Sequence, residues 1–204
     1  MQRPIIFAAA MVVTVIAGAA AYMASLPAPV YKSPALLNAS GSTIGGPFEL
    51  TTHEGNRVSS DALIDGPTLI YFGYTFCPDV CPIDTQVMAD AVILLEERGI
   101  EVQPVFVTVD PERDDVEALA SYVDGMHPRM MGLTGTKDEI KSAADAYKVY
   151  FSRQEMPGSA AHYLMSHTAY MYFVMPEVGT VGVFRNGFPP EQIATDIEGV
   201  LGTL

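Results

Sequence analysis

Apolar residues along this chain fall into two alternating patterns, short unbroken runs and stripes at helical spacing. The segments "TLIYFGYT" (Thr68 to Thr75) and "EVQPVFVTVD", ending at Asp110, are β-branched and aromatic runs of the buried-strand kind. Between them Ile83, Val87, Ala91, Leu94 and Leu95 recur at helical spacing from Pro82 onward, and Gly99 stops that helix. "FELTTHEGNRVSS" predicts two short strands around a turn at Glu54-Gly55-Asn56. "DDVEALASYV" reads as a helix and "RMMGLTG" as a short strand. "TKDEIKSAADAY" reads as a helix with Thr136 as N-cap and Glu139 three residues on, the capping-box pattern. From Lys148 the pattern predicts a strand, an irregular segment rich in Gly, Pro and Ser that extends past His162 and His167, and two strands around Pro176 to Gly179. A helix over "PPEQIATDIEGVL" closes the chain, with Pro189 or Pro190 in its first turn.

Strands alternating with helices, then a terminal hairpin and helix, predict an α/β domain with a mixed central sheet flanked by helices. The 204 residues suffice for one such domain with an appendage. The appendage is N-terminal. An uncharged, mostly apolar run from Ile5 to Leu26 would be roughly 33 Å long as a helix, enough for a bilayer core. Arg3 is the only charge before it, so the positive-inside rule keeps the N-terminus cytoplasmic and exports the rest. The rival is a cleaved signal peptide, since small residues around Ala17 to Ala24 offer A-x-A-like sites; the length of the apolar run favours the anchor. The expected organisation is an anchor over 1–26, a Pro-, Ala-, Ser- and Gly-rich tether over 27–44, and a folded domain over 45–204.

Charge narrows the choice of partners. The chain has 11 Lys or Arg against 24 Asp or Glu, a formal net charge of −13. Nucleic acids and anionic lipids need clustered cations, so this balance argues against both. It suits a cationic ligand or a basic partner patch, and it also suits plain solubility.

Both cysteines lie in "GYTFCPDVCPID" (Gly73 to Asp84). Cys77 falls just past the end of a buried strand, where reactive groups gather in open α/β sheets, and Cys81 falls at the mouth of the following helix. Unpaired N–H groups and the helix dipole there stabilise thiolate. Common thiol oxidoreductases use C-x-x-C; the third intervening residue here widens the bite, which suits two thiolates held apart by a soft metal such as Cu(I) or Zn. An iron–sulfur cluster normally takes four cysteines. A structural disulfide is the plainer alternative, although a domain of this size does not require one.

Two sulfurs leave a metal under-coordinated. Of the four histidines, His53 in the first hairpin and His127 in a polar turn read as solvated, while His162 and His167 flank "YLMS" beside a strand. Spacing alone does not choose between the latter two. Asp79, between the cysteines, either adds negative charge near a cation or shapes the loop. Asp110 is a candidate neighbour of the site only, since a strand end and a turn at Pro111 account for it equally. Most methionines read as core or membrane filler. Met126, Met156 and Met165 fall in or beside irregular segments, and Met165 is the one nearest His167.

The run "GYTFCPDVCP", the later "FVTVDPERD" (Phe106 to Asp114) and "HTAYMYFVMPEVG" (His167 to Gly179) together resemble the Sco/SenC family of copper chaperones, in the same order and with similar spacing, across about residues 45 to 203. The resemblance implies a thioredoxin-like fold tethered to the inner membrane and facing the periplasm or intermembrane space. It also implies binding of copper, as Cu(I) or Cu(II), and loading of the dinuclear copper site in subunit II of cytochrome c oxidase, with another periplasmic protein as a possible copper donor. The family's two motif cysteines and distant histidine fall on Cys77, Cys81 and His167. Where the family commonly has Asp-His-Ser around the ligand, this chain has Ser166-His167-Thr168, which keeps a hydroxyl and removes a carboxylate. The reading from another class is a thiol-disulfide oxidoreductase that reduces the partner's cysteines. Against it stand the extra residue between the thiols, the candidate histidine and the lack of a proline at Ser166 or His167. A peroxidase would need a low-pKa cysteine with an arginine beside it, and the sequence gives no such pair.

Overall fold

In the computed structural model, residues 44–202 are described, and they fall within one unit of the chain. The expected anchor over 1–26 and nearly all of the tether lie outside the described residues; within those, no helix is long and apolar enough to cross a membrane.

The elements run β1 (Glu49–Thr52), β2 (Arg57–Ser59), α1 (Ser60–Leu63), β3 (Thr68–Gly73), α2 (Val80–Glu97), β4 (Gln103–Thr108), α3 (Val116–Asp124), β5 (Met131–Thr134), α4 (Lys137–Ala146), β6 (Phe151–Glu155), β7 (Tyr163–His167), β8 (Tyr170–Met175), β9 (Gly179–Arg185) and α5 (Pro190–Leu201). Seven strands form one mixed sheet in the order β2-β1-β5-β4-β3-β8-β9. β3 runs parallel to β4 and antiparallel to β8, and all six of its residues are buried. A strand covered on both faces has no polar alternation, which is why "TLIYFG" reads as a continuous apolar run.

Adjacent residues of β3 point to opposite faces, and their partners show what covers each. Tyr71 meets Phe106 and donates a hydrogen bond to Asp84 of α2, while Phe106 stacks on Tyr122 of α3. Phe72 meets Tyr147, just past α4, and Tyr172. Helices therefore cover both faces, and α5 lies along α2. At the last position of β3 a side chain does not fit: a Cβ on Gly73 would come within 2.9 Å of the Tyr71 ring and 3.0 Å of the Phe106 ring.

Local signals account for the element ends. The capping box at Thr136 and Glu139 forms in full. Asp115 caps α3 through Ala118 N–H, and Pro190 is the first residue of α5. Gly99, just past α2, has φ +75°, a left-handed conformation open to glycine at little cost.

Two expectations need correction. The irregular segment is shorter than predicted: residues 163–167 form β7, which pairs only with β6 in a two-stranded sheet of its own, Phe151 opposite His167. β6, "FSRQE", is polar and largely exposed, so no core-facing stripe announces the pair. His127 is not solvated. It is buried, with Nδ1 accepting from Arg129 N–H at 3.2 Å and Nε2 3.5 Å from Glu96.

Candidate metal site

The thiols sit where β3 ends. After Gly73 the chain turns, Cys77 N–H donating to Tyr74 O at 3.3 Å, and α2 begins at Val80 with Cys81 as its second residue. Pro82 follows inside the first turn, where a missing N–H is no loss. The N-cap, Asp79, makes no side-chain cap hydrogen bond and is exposed, and the first turn holds no acid. The helix N-terminus is thus left to the cysteines: Cys81 N–H donates to Cys77 Sγ at 3.4 Å, and Asp79 N–H also points at that sulfur.

His167 arrives from the end of β7. Its Nε2 lies 3.2 Å from Cys81 Sγ although the residues are 86 apart in sequence. Nδ1–H donates to Thr168 O at 3.1 Å, which turns Nε2 toward the sulfurs. The ring is held edge-on between Tyr71 and Tyr74, at centroid distances of 6.2 and 6.0 Å. The three polar groups close on one another as hydrogen-bond partners; among the described residues no set of three or more His, Cys, Asp or Glu is already arranged around a metal ion.

The two thiols differ. Cys77 is partly exposed and its pKa is lowered well below the ordinary thiol range, chiefly because Cys81 S–H donates to it, with further help from His167 and the backbone N–H groups of Cys81 and Asp79. Cys81 is fully buried and its pKa is raised, first by that same hydrogen bond to Cys77 and then by burial. The two shifts run in opposite directions, favouring the charge on Cys77 and the proton on Cys81. A folded-state pKa below the unfolded value contributes stability at high pH that is lost as pH falls, so the thiolate persists into acid. Alkylation of Cys77 by iodoacetamide is expected to be nearly as fast at pH 6 as at pH 8, whereas an ordinary thiol slows by about a hundredfold. A hundredfold drop would show that the charge is not held on Cys77.

Further residues complete the surroundings, of which the sequence singled out Asp110 but not Asp84 or Arg113. Beneath the thiols, Asp84 is buried and accepts from Tyr71 Oη at 3.1 Å and Asn186 Nδ2 at 2.7 Å; burial pushes its pKa up. Beside them, Asp110 accepts from Arg113 Nε at 2.5 Å and from Tyr163 Oη at 3.0 Å. The Arg113 guanidinium lies 3.8 Å from the Tyr163 ring and 4.7 Å from the ring of Phe76, which precedes Cys77. So an arginine does stand near the thiol loop, although no such pair is evident along the chain. Flanking the thiols, Phe76 and Ile83 are 52% and 58% exposed, a wet apolar rim on either side. Met165, by contrast, lines a separate cavity with Val109, Ile140 and Phe151. His53 is engaged elsewhere, its Nδ1 accepting from Gly132 N–H at 3.1 Å, and His162 occupies a turn with φ 57°.

A mixed sheet between helices, with two thiols and an imidazole meeting at the end of an interior strand, defines a thioredoxin-like domain with a thiol-imidazole site. The chain belongs to the SCO1/SenC family, whose model matches residues 38–202. It is 38% identical over 200 residues to Protein SenC of Rhodobacter capsulatus, spanning 97% of this chain and 90% of that one. It is 43% identical over 161 residues to SCO1 homolog 1, mitochondrial, of Arabidopsis thaliana, spanning 78% of this chain but 48% of the plant protein. Among solved structures, Arabidopsis thaliana ScoI with copper bound superposes with a TM-score of 0.74 at 37% identity, over 78% of this chain and 99% of that chain. Yeast Sco1 with copper bound gives 0.73 at 34% identity, over 80% and 91%.

Proposed function

We propose that this protein is a copper chaperone which holds one copper ion through Cys77, Cys81 and His167 and delivers it to the dinuclear copper site in subunit II of cytochrome c oxidase. The observation that carries this reading is the 3.2 Å approach of His167 Nε2 to Cys81 Sγ. Metal–sulfur and metal–nitrogen bonds of about 2.3 and 2.0 Å, at tetrahedral to trigonal angles, separate sulfur from nitrogen by about 3.5–3.7 Å. The contact needs to open by only a few tenths of an ångström. Thiolate is a soft ligand that selects Cu(I), and imidazole suits copper in either oxidation state. The solved relatives with copper bound support the choice of metal.

The charge pattern suits uptake. The lowered Cys77 pKa favours thiolate there, which leaves the proton on Cys81 as the one that Cu(I) must displace on entering. Three protein ligands leave the ion open on one side, and a thiolate or imidazole from the oxidase subunit takes it by successive ligand exchange. In the cell the domain faces the periplasm from a single N-terminal span in the inner membrane, and another periplasmic protein supplies the copper. The acidic balance argues against nucleic acid as a partner.

A second reading has an observation of its own. The unequal thiols, one a partly exposed thiolate and one a buried proton-bearing partner, are also what a thiol-disulfide reductant needs: Cys77 attacks the partner's disulfide and Cys81 then resolves the mixed disulfide. His167 separates the two. His167→Ala is expected to weaken copper binding by about 10- to 100-fold in competition with a Cu(I) chelator, while the Cys77–Cys81 disulfide still forms. The parent chain takes up about one copper. Unchanged copper binding with lost reductase activity in that variant would reverse the order of the two readings.

A further inference from the structure

His167 reaches the thiols on a strand that the main sheet does not hold. β7 pairs only with β6, and the two form a sheet apart from the seven-stranded one. Where the strand ends, the chain continues into β8, and Asn186 N–H donates to Ala169 O at 3.3 Å, so its C-terminal end is tied down. At its N-terminal end a guanidinium side chain of the main body takes hold, with Asp110 beside it.

That side chain is Arg113, in the turn after β4. Its Nη1 donates to Tyr163 O at 3.1 Å and lies 3.5 Å from Ala161 O, and its guanidinium carbon sits over the Tyr163 ring, 3.8 Å from the centroid. Asp110 fixes both partners at once, taking Arg113 Nε on one oxygen and Tyr163 Oη on the other. The same guanidinium reaches the thiol loop, 4.7 Å from the Phe76 ring and 5.8 Å from the Tyr74 ring. Tyr74 in turn packs edge-on against His167, and its hydroxyl interacts with Cys77 and with the backbone of Met165. One cation thus joins the strand that carries the imidazole to the loop that carries the thiolate.

Its cost supports a geometric role over a merely stabilising one. Arg113 Nη2 is buried without a hydrogen-bond partner, a penalty that apolar packing of the same volume would avoid. The planar fork is what apolar packing cannot supply: a carboxylate, a carbonyl and ring faces met in fixed directions.

We propose that Arg113 is a positioning residue for the metal site, fixing the distance between His167 and the two sulfurs by clamping the start of β7 to the cysteine loop. It does not touch the metal; it acts as outer-shell partners of metal ligands do. The proposal rests on the copper reading for its consequence but not for its geometry, and the test separates the two.

The test uses the full chain and the variants Arg113→Met and Arg113→Lys, each alone and combined with His167→Ala. With Cu(I) and a competing chelator, Arg113→Met is expected to weaken binding about tenfold in the parent. In the His167→Ala background it should change binding by less than about twofold, because the ligand it places is gone. Arg113→Lys should fall with Arg113→Met, since an ammonium cannot span Asp110 and the Tyr163 carbonyl in one plane. In the metal-free chain, the ring resonances of His167 should shift in both Arg113 variants while those of His53 and His127 stay in place, which also certifies the fold. An equal loss of affinity with and without His167 would overturn the proposal, and so would unmoved His167 resonances. The resonance arm decides the matter even if the parent binds no copper, an outcome that would defeat only the proposed function.

Discussion

Asp114→Ala is expected to cost about 3–5 kcal/mol, a large share of the roughly 5–15 kcal/mol that holds a domain together. The carboxylate is completely buried and has no cation on it. Thr75 Oγ1 donates to Oδ1 at 2.6 Å, while Thr75 N–H at 2.9 Å and Thr108 Oγ1 at 2.6 Å donate to Oδ2. Thr134 Oγ1 donates to the backbone carbonyl of the same residue at 2.8 Å. Asp114 therefore binds the ends of β3, β4 and β5 together and holds Thr75, two residues upstream of Cys77. Alanine would leave one buried donor, on Thr108, and two part-buried ones, on Thr75, without acceptors, each costing about 1–3 kcal/mol less whatever water recovers.

The same burial gives the effect a pH signature. Desolvation pushes the Asp114 pKa up, against the hydrogen bonds from Thr108 and Thr75. A carboxyl whose folded pKa lies above its unfolded value contributes stability that is fully present below about pH 3.9 and is lost as pH rises through the folded value. Asp114→Asn cannot titrate and lacks that loss. The gap in urea midpoint between the parent and Asp114→Asn should therefore be wider near pH 4 than at pH 7. A gap that widens toward neutral pH would mean that the hydrogen bonds outweigh desolvation.

Asp114 also marks the limit of what could be read in the sequence. "TVDPERD" reads as a strand end, a turn and an acidic helix start, and for Asp115 that is right, since it caps α3. The neighbouring Asp114 looks the same on paper and faces inward, because its acceptors serve Thr108 on the strand before it and Thr75, 39 residues back in the chain. Buried strands with local signatures were legible: β3 and β4 follow from their unbroken apolar runs, and α4 from its capping box. β7 was not, because a polar two-stranded hairpin carries no core-facing period. That matters for the site, since His167 lies on it. Cys77 and Cys81 were placed by a local rule, a strand end followed by a helix mouth. Spacing left His162 and His167 equal, and family resemblance chose the one whose ring faces the sulfurs. Arg113, Tyr74 and Asp84 gave no signal, because what makes them part of the site is contact across the fold.

Cys77→Ser and Cys81→Ser are each expected to weaken Cu(I) binding by more than about 100-fold, beyond the loss for His167→Ala, because a hydroxyl is a poor ligand for a soft ion. Their reactivity should part company. Cys77→Ser leaves a sulfur that is fully buried and whose pKa burial holds up, so iodoacetamide should hardly modify the folded chain. Cys81→Ser leaves Cys77 half in solvent at the mouth of α2, still with the backbone N–H groups of residues 79 and 81 on its sulfur, so alkylation should continue. The hydrogen bond from the second sulfur is the largest cause of the lowered Cys77 pKa, and serine replaces it with a shorter donor. The rate should therefore begin to fall with acid at a higher pH in Cys81→Ser than in the parent. Copper competition and alkylation on the same two proteins read the two properties separately. If Cys77→Ser keeps the parent's affinity, copper is not held by the sulfur pair, and if it alkylates as fast as Cys81→Ser, the exposed and buried sulfurs have been assigned the wrong way round.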